Sequence, residues 1–168
     1  DGVNWRDVSS NGDGPLARGY HRLTYDASRE VVVLFGGVYS DNTTVSQFAD
    51  TWEFDDSQWT RIYTDDPEGD GDPIRRSSFG LAYDLNRGVV VLNGGEYRDD
   101  TGAIVVLSDS WEYDGNSWRR TDLHDGATMQ TARREHRLFY DEARYEIVLF
   151  GGRNEVDIFE SPDTYPIF

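Results

Sequence analysis

The chain has 168 residues and contains no cysteine, so disulfide bonds, thiolate metal sites and cysteine nucleophiles are excluded. All 16 of its basic residues are arginine, which excludes a lysine Schiff base, and its 32 acidic residues give a net charge of -16 that disfavours nucleic acid as a partner. No apolar run approaches the roughly 18–20 residues that a membrane-spanning helix needs, so we expect no membrane span.

The first segment in chain order is 1–17. Its opening letters, "DGVNW", match "DGNSW" at 114–118, where a strand is predicted to begin at the tryptophan. Residues 1–6 are therefore expected to form the last strand of a preceding or closing unit, and the rest of the segment is a link. The chain starts at Asp1 rather than Met, which favours a processed chain or part of a longer gene product.

The segment 18–63 has the pattern of four β-strands. Apolar and polar residues alternate in "HRLTYD" at 21–26, whereas "VVVLF" at 31–35 is apolar throughout and is predicted to be buried on both faces. Alternation returns in "DTWEFD" at 50–55, and a fourth strand is predicted from Trp59. The connections "ASRE" and "DDSQ" are short and polar, as β-hairpins require.

Two further units repeat this pattern, at 76–122 and at 133–168. The phrase "VVVLFGG" of the first unit returns in them as "VVVLNGG" and "EIVLFGG", and each first strand ends in Tyr-Asp. The third unit is predicted to be partial, because only a weak match to the third strand remains at 157–168. Regular recurrence of this kind indicates one supersecondary unit used several times, and no helix is predicted.

Four-stranded units with glycine and aromatic punctuation are typical of the blades of a β-propeller. The chain also resembles the kelch-repeat family, in which a hydrophobic run closed by Gly-Gly precedes a spaced aromatic pair such as Phe54 and Trp59. The "DTWE" before that pair and the "R..H....YD" that opens a unit are similar to bacterial extracellular kelch-type repeats. The resemblance implies an all-β, kelch-type propeller segment of about three blades, and it implies little about function.

Three units are fewer than the four to eight blades with which propellers usually close. The chain is therefore expected to be part of a larger propeller, or several copies complete a ring together. A three-bladed arrangement closed by residues 1–6 is a further alternative. An open sheet face would otherwise invite association, so self-association or contact with remaining blades is expected.

Long loops are predicted on one face of the disc, because the connections between second and third strands and the links between units emerge on the same side. These segments are 38–49, 64–74, 96–108 and 121–132. Loops of this kind carry binding residues more often than the strands that hold them. The predicted ligand-binding residues are the aromatic and acidic side chains Tyr39, Asp41, Phe48, Tyr97, Asp99 and Asp100.

One acidic link could hold calcium. Asp66, Glu68 and Asp70 alternate before Gly71, which is the start of a calcium-loop pattern, but the bidentate glutamate that such a loop needs is replaced by Ser77. A solvated turn is therefore favoured over a calcium site, and no other cofactor is expected.

Residues that recur at one position of every unit are expected to serve the scaffold. The arginines that open the first strands have this property, as do the Tyr-Asp pairs that close them. His21 and His136 occupy the position that Phe79 holds in the second unit, which favours packing over proton transfer.

These observations favour a non-catalytic recognition or assembly module, extracellular or on the cell surface, that binds protein or glycan through the long loops. No catalytic residue is predicted. One alternative is a carbohydrate-active or metal-dependent enzyme domain that uses Asp99 and Asp100, and another is a structural subunit of a larger surface assembly.

Overall fold

The computed structural model describes Asn4 and residues 14–41, 43–66, 69–121 and 131–154. Every regular element within these ranges is a β-strand, and all pairs of strands are antiparallel, so the predicted all-β class is confirmed. The strands predicted at 1–6 and at 157–168 lie outside the described residues. No helix in the described part of the chain has the length and apolar character needed to cross a membrane.

The first repeat forms a four-stranded sheet with a small hairpin inserted between its second and third strands. The six strands are β1 Arg22–Asp26, β2 Val31–Phe35, β3 Val38–Ser40, β4 Val45–Gln47, β5 Thr51–Phe54 and β6 Trp59–Ile62. The first sheet has the order β1-β2-β5-β6, and β3 pairs with β4 separately. The segment predicted as the loop 38–49 is therefore largely a hairpin.

The second sheet repeats this order with longer central strands. Its strands are β7 Gly80–Asp84, β8 Val89–Arg98, β9 Ile104–Tyr113 and β10 Trp118–Thr121. A register shift between Asn93 and Gly95 separates the sheet proper from an extension of β8 and β9. This extension corresponds to the β3–β4 hairpin, so the predicted loop 96–108 is also mostly strand. The third sheet pairs β11 Arg137–Asp141 with β12 Glu146–Phe150.

The turn after each first strand is fixed by the aspartate of the Tyr-Asp pair. The Asp26 carboxylate accepts hydrogen bonds from the backbone N–H groups of Ser28 and Arg29, at 3.0 and 3.1 Å. Asp84 and Asp141 make the same pair of bonds in the second and third sheets. An aspartate that bonds backbone groups two and three residues onward stabilises a tight turn, which explains why this residue recurs.

The Gly-Gly pairs of the first and second repeats lie where the chain approaches both the start of its own first strand and the next repeat. Gly36 and Gly37 have φ angles of +60° and +101°, a region that favours glycine. A Cβ at Gly36 would lie 2.7 Å from the Arg76 carbonyl oxygen of the second repeat, and one at Gly37 would lie 2.9 Å from the Cβ of His21. Both the backbone angles and the closeness of these neighbouring atoms therefore favour glycine at the two positions.

The main core lies between the first and second sheets. Phe35 contacts Phe79 and Trp118 of the second sheet with ring centroids 5.7 and 5.2 Å away, and Trp118 stacks on Tyr113. The Trp118 indole donates a hydrogen bond of 2.9 Å to the Thr51 hydroxyl across the same interface. The apolar strand β2 is buried towards its end, as predicted, whereas β12 is only partly buried and ends at the exposed Phe150.

Successive sheets are also joined where their first strands begin. The Ser78 amide donates to the Tyr20 carbonyl at 3.1 Å, and the Glu135 amide donates to the Ser78 carbonyl at 2.7 Å. These three residues share a positive φ of 55–64°, so one backbone geometry is used at the same place in each repeat. The three sheets thus follow one another in chain order, and the described residues do not form a closed ring.

Candidate functional site

A cleft of about 360 Å³ opens where the starts of the first strands meet the two hairpins. Its floor contains Ser77, Ser78, Arg134 and Glu135, which directly follow the repeated arginines that open the second and third units. Backbone bridges from Ser77 to Glu96 and from Arg134 to Arg153 hold this floor to the strands beside it. Residues far apart in sequence therefore form one surface.

Two hairpins form the walls of the cleft. One wall is Val38, Ser40, Val45 and Gln47 of the β3–β4 hairpin, and the other is Glu96, Tyr97, Arg98 and Ile104 of the β8–β9 extension. The two hairpins are tied together, because the backbone N–H of Arg98 donates to the Gln47 side-chain oxygen at 2.9 Å. The exposed Tyr20 and the partly buried Arg153 complete the rim.

Charges of both signs lie side by side on this surface. The guanidinium of Arg134, which is almost completely buried, pairs with the Glu96 carboxylate, and the Ser78 hydroxyl donates to the same carboxylate at 3.3 Å. Arg153 pairs with Glu135 at 2.7 Å in a more exposed position. The cleft therefore offers carboxylate, guanidinium and hydroxyl groups within one small volume, together with two tyrosines.

Of the predicted ligand-binding aromatics, Tyr97 lines the cleft and the other two do not. Tyr39 occupies the equivalent position on β3, but its hydroxyl donates to Asp41 at 3.1 Å and its ring is partly exposed outside the cleft. Phe48 packs beneath the guanidinium of Arg18, 3.9 Å from the ring centroid, which is a scaffold contact.

The predicted acidic residues Asp41 and Asp99 hold the tips of the hairpins. The backbone amides of Thr43 and Thr44, with the Thr43 hydroxyl, lower the pKa of Asp41 to about 2. Asp99 accepts a 2.6 Å bond from the Thr101 hydroxyl and further bonds from backbone amides, which lowers its pKa as well. Their carboxylates are engaged in turns, so neither has the arrangement of a general acid.

The remaining acidic candidates are either exposed to solvent or bonded to backbone amides. Asp100 has a fully exposed side chain, 3.3 Å from the guanidinium of Arg75. In the acidic link, the Asp66 carboxylate accepts from the amides of Asp70 and Gly71, and the Asp70 carboxylate accepts from the amide of Arg120. Glu68, the third predicted calcium ligand, lies outside the described residues.

The described residues contain no group of three His, Asp or Glu side chains that could hold a metal ion. The carboxylates of the acidic link bond to backbone amides, which is the arrangement of a turn. Because Glu68 lies outside the described residues, the choice between a turn and a calcium site at this link stays a prediction.

The repeated arginines at the starts of the units are scaffold residues, as expected. Arg76 is fully buried and binds both carboxylate oxygens of Asp109 at 2.7 Å, as well as the Gly94 carbonyl at 3.0 Å. Arg18 makes the same contacts with Asp50 and Gly36. Arg18 and Arg76 thus each pair within their own repeat, joining the segment before the first strand to an aspartate in the third strand or directly before it. Arg133 donates to the Gly151 carbonyl at 3.3 Å.

A second repeated arginine was missed by sequence reasoning. In every unit an arginine stands three positions after the Tyr-Asp aspartate, and its side chain returns to that aspartate. Arg29 and Arg87 also reach Glu53 and Glu112 on the third strands of their own sheets. The recurrence of this arginine is visible in "YDASR", "YDLNR" and "YDEAR", so the signal was available.

Sequence reasoning also missed the residues of the cleft floor, because these residues do not repeat from unit to unit. The two residues after the opening arginine are Gly-Tyr, Ser-Ser and Arg-Glu in the three units, so they change where their neighbours repeat. Variation at a fixed position of a repeat indicates a surface that is free to specialise. That signal singles out Ser77, Ser78, Arg134 and Glu135 as variable positions, but it does not show that they lie together.

His136 packs as expected, whereas His21 is only partly buried. His136 is fully buried between the second and third sheets, where a Cβ at Gly80 would lie 2.7 Å from its Nε2. Its two ring nitrogens have no hydrogen-bond partner among the described residues. Burial, with the charges of Arg133, Arg22 and Arg137, lowers the pKa of His136 to about 4. It is therefore neutral at pH 7.

No family model matches the chain. The chain is similar to Mei4-dependent protein 6 of Schizosaccharomyces pombe (strain 972 / ATCC 24843), with 27% identity over 151 residues. The match covers 83% of this chain and 21% of that protein. The chain therefore spans about a fifth of the length of this curated relative.

Proposed function

We propose that the chain is a recognition module built from kelch-type propeller repeats, and that it binds a short glycan in the cleft between its two hairpins. The observation that carries the proposal is the cleft itself, since it gathers side chains that vary from repeat to repeat on an otherwise repeated scaffold. The shared four-stranded order of the first two sheets and the repeated Gly-Gly contacts support a radial arrangement of sheets.

The chemistry of the cleft favours a sugar over an apolar ligand. Sugar hydroxyls both donate and accept hydrogen bonds, and the cleft supplies acceptors in Glu96 and Glu135 and donors in Arg134 and Arg153. Tyr97 and Tyr20 add rings against which the apolar face of a sugar can pack. A volume of about 360 Å³ fits a ligand of one or two sugar units.

The arrangement favours binding over catalysis. The two carboxylates of the cleft are each paired with an arginine, and the acidic candidates on the hairpin tips are engaged in turns. A glycosidase needs one carboxyl group with a raised pKa beside a second, ionised one. An extracellular or cell-surface location belongs to the same proposal, since exposed glycans are found there.

The test is a glycan-array screen of the chain, followed by calorimetric titration of the best sugar. We expect Tyr97→Ala to weaken binding at least tenfold, because the ring contributes apolar contact area in the cleft. Tyr39→Ala is the matched control, since Tyr39 stands at the equivalent place in the first repeat and lies outside the cleft. It should bind as the wild type does.

Equal losses for the two variants would place binding elsewhere on the long-loop face. If the chain binds no sugar on the array but binds a protein, and Tyr97→Ala weakens that binding, the ligand of the cleft is a protein. Sugar turnover by the wild-type chain would favour an enzyme instead.

A further inference from the structure

The two ends of the stack of sheets expose apolar side chains in a regular pattern. On the first sheet Leu23 and Tyr25 are 49% and 55% exposed, and on the third sheet Phe139 and Phe150 are 49% and 64% exposed. Leu23 and Tyr25 lie on one face of the first sheet, because they are two residues apart on β1. Phe139 pairs with Val148, which is two residues before Phe150 on β12, so Phe139 and Phe150 also share a face. Within the part of the chain that the structure describes, both end faces are therefore sheet surfaces with exposed apolar side chains.

The interface between the first and second sheets shows what such faces bind. Phe35 occupies in the first repeat the position of Phe150 in the third, and it packs against Phe79 and Trp118. Leu81 and Tyr83 occupy in the second repeat the positions of Leu23 and Tyr25, and this interface leaves them only 6% and 8% exposed. One face of each repeat is thus built to cover the opposite face of the next.

The open end faces are the two halves of this same interface. The third sheet presents the Phe35-type face, with Phe150, and the first sheet presents the opposite type, with Tyr25. In place of Phe79 and Trp118, the first sheet has His21 and Trp59 at the equivalent positions. The first sheet therefore carries aromatic rings at the positions that contact Phe35 in the interface between the first and second sheets.

We propose that two copies of this chain pack end to end, with the third sheet of each copy against the first sheet of the other, in one closed ring of six sheets. The proposal rests on the radial arrangement given above. Ring propellers contain about four to eight sheets, and the six described sheets that two copies supply lie within this range. Head-to-tail contacts that return on themselves close without leaving an edge.

The hydrogen bonds at the starts of the first strands extend across the same contact. Within a copy they run from Glu135 to Ser78 and from Ser78 to Tyr20, and the series continues no further in the described residues. In the ring, the Tyr20 amide of one copy faces the Glu135 carbonyl of the second copy. One backbone contact is thus repeated around the whole axis.

The first test is the mass of the 168-residue chain by sedimentation equilibrium, which should be twice its 19.2 kDa. Phe150→Asp and Tyr25→Asp should each give monomers, because each puts a carboxylate into both contacts of the ring. Leu85→Asp is the control, since this exposed leucine follows β7 in the middle sheet and should leave the dimer intact.

Mixing the two monomeric variants separates a head-to-tail contact from a symmetric one. In the mixture one contact pairs an unaltered Phe150 with an unaltered Tyr25, so we expect a heterodimer weaker than the wild-type dimer. A symmetric contact between Phe150 of one copy and Phe150 of the other would not be restored in this mixture.

Three results would overturn the proposal: a monomeric wild-type chain at micromolar concentration, an open series of larger oligomers, or a dimer unaffected by Phe150→Asp. Glycan binding by the monomeric Phe150→Asp variant is measured separately. A monomeric wild type that binds sugar removes the ring and leaves the proposed function standing, whereas a dimer that binds no sugar does the reverse.

Discussion

At the scale of single residues, the same position of the repeat receives different side chains according to its neighbours. The place held by Phe79 in the second repeat is held by His21 and His136 in the others, and all three contact the second glycine of a Gly-Gly pair. Phe79 fills this place without a polar atom. His136 occupies this position in the neutral form, because its charged form would be desolvated and would lie beside arginines.

His136 should therefore make the stability of the fold depend on pH. Its folded-state pKa of about 4 is below the ordinary value of about 6.5 that applies in the unfolded chain. Above pH 6.5 the His136 imidazole is neutral in both the folded and the unfolded state. As the pH falls from 6.5 to 4, this imidazole takes up a proton in the unfolded chain first, so the free energy of unfolding decreases.

The matched variant is His136→Phe, which installs the residue that the second repeat already has. Urea unfolding at several pH values between about 7.5 and about 4.5 should show a smaller loss of stability for the variant than for the wild type. The carboxylates with lowered pKa values are common to both proteins and cancel in the comparison. Parallel pH profiles for the two proteins would show that His136 does not titrate in this range.

At the scale of elements, each complete sheet is held at one end by an arginine that joins its first and third strands. Arg76 has no exposed surface, binds both oxygens of Asp109, and shares that carboxylate with the Trp111 indole at 2.7 Å. Burial opposes ionisation of Asp109, but the hydrogen bonds and charge of Arg76 outweigh it, so the pKa of Asp109 is lowered. The clamp thus needs both partners charged.

Removing one partner of this clamp should be costly. We expect Arg76→Met to lower the free energy of unfolding by about 3–5 kcal/mol, because it leaves the Asp109 carboxylate without its buried cation. Arg75→Met is the control beside it in sequence: Arg75 pairs with Asp100, whose side chain is fully exposed, so a loss of about 0–1 kcal/mol is expected. Urea unfolding of both variants measures the difference, and similar losses would contradict the clamp.

At the scale of the whole molecule, a strongly acidic surface surrounds apolar end faces. The chain carries a net charge of -16, so two copies repel one another over distances of about a Debye length. The contact proposed between their ends is apolar and short-ranged. Association therefore depends on how far salt screens the repulsion.

The ring should consequently become tighter as salt is added. We expect the dissociation constant of the dimer, measured by sedimentation, to fall when NaCl is raised from about 0.05 M to about 0.5 M, because the Debye length shrinks over this range. Phe150→Asp should stay monomeric throughout. A dimer that weakens with salt would instead depend on ion pairs across the contact.

Most strands of the described sheets and the turns that join them followed from the sequence, because each is encoded locally, whereas the strands within 38–49 and 96–108 were predicted as loops. Alternation in "HRLTYD" and the unbroken run "VVVLF" set the strand faces, and Asp26 fixes the turn between them through its own neighbours. The repeat made these signals unambiguous by giving each of them three times.

The cleft and the open ends were decided only by the tertiary structure. Ser78, Glu96 and Glu135 come together because successive sheets align the starts of their first strands, a relation between repeats that no single repeat encodes. Likewise, "VLFGG" contains both Phe35 and Phe150, and among the described residues a following sheet covers Phe35 but not Phe150. Local physics defines each sheet, whereas contacts between sheets define the surfaces available for function.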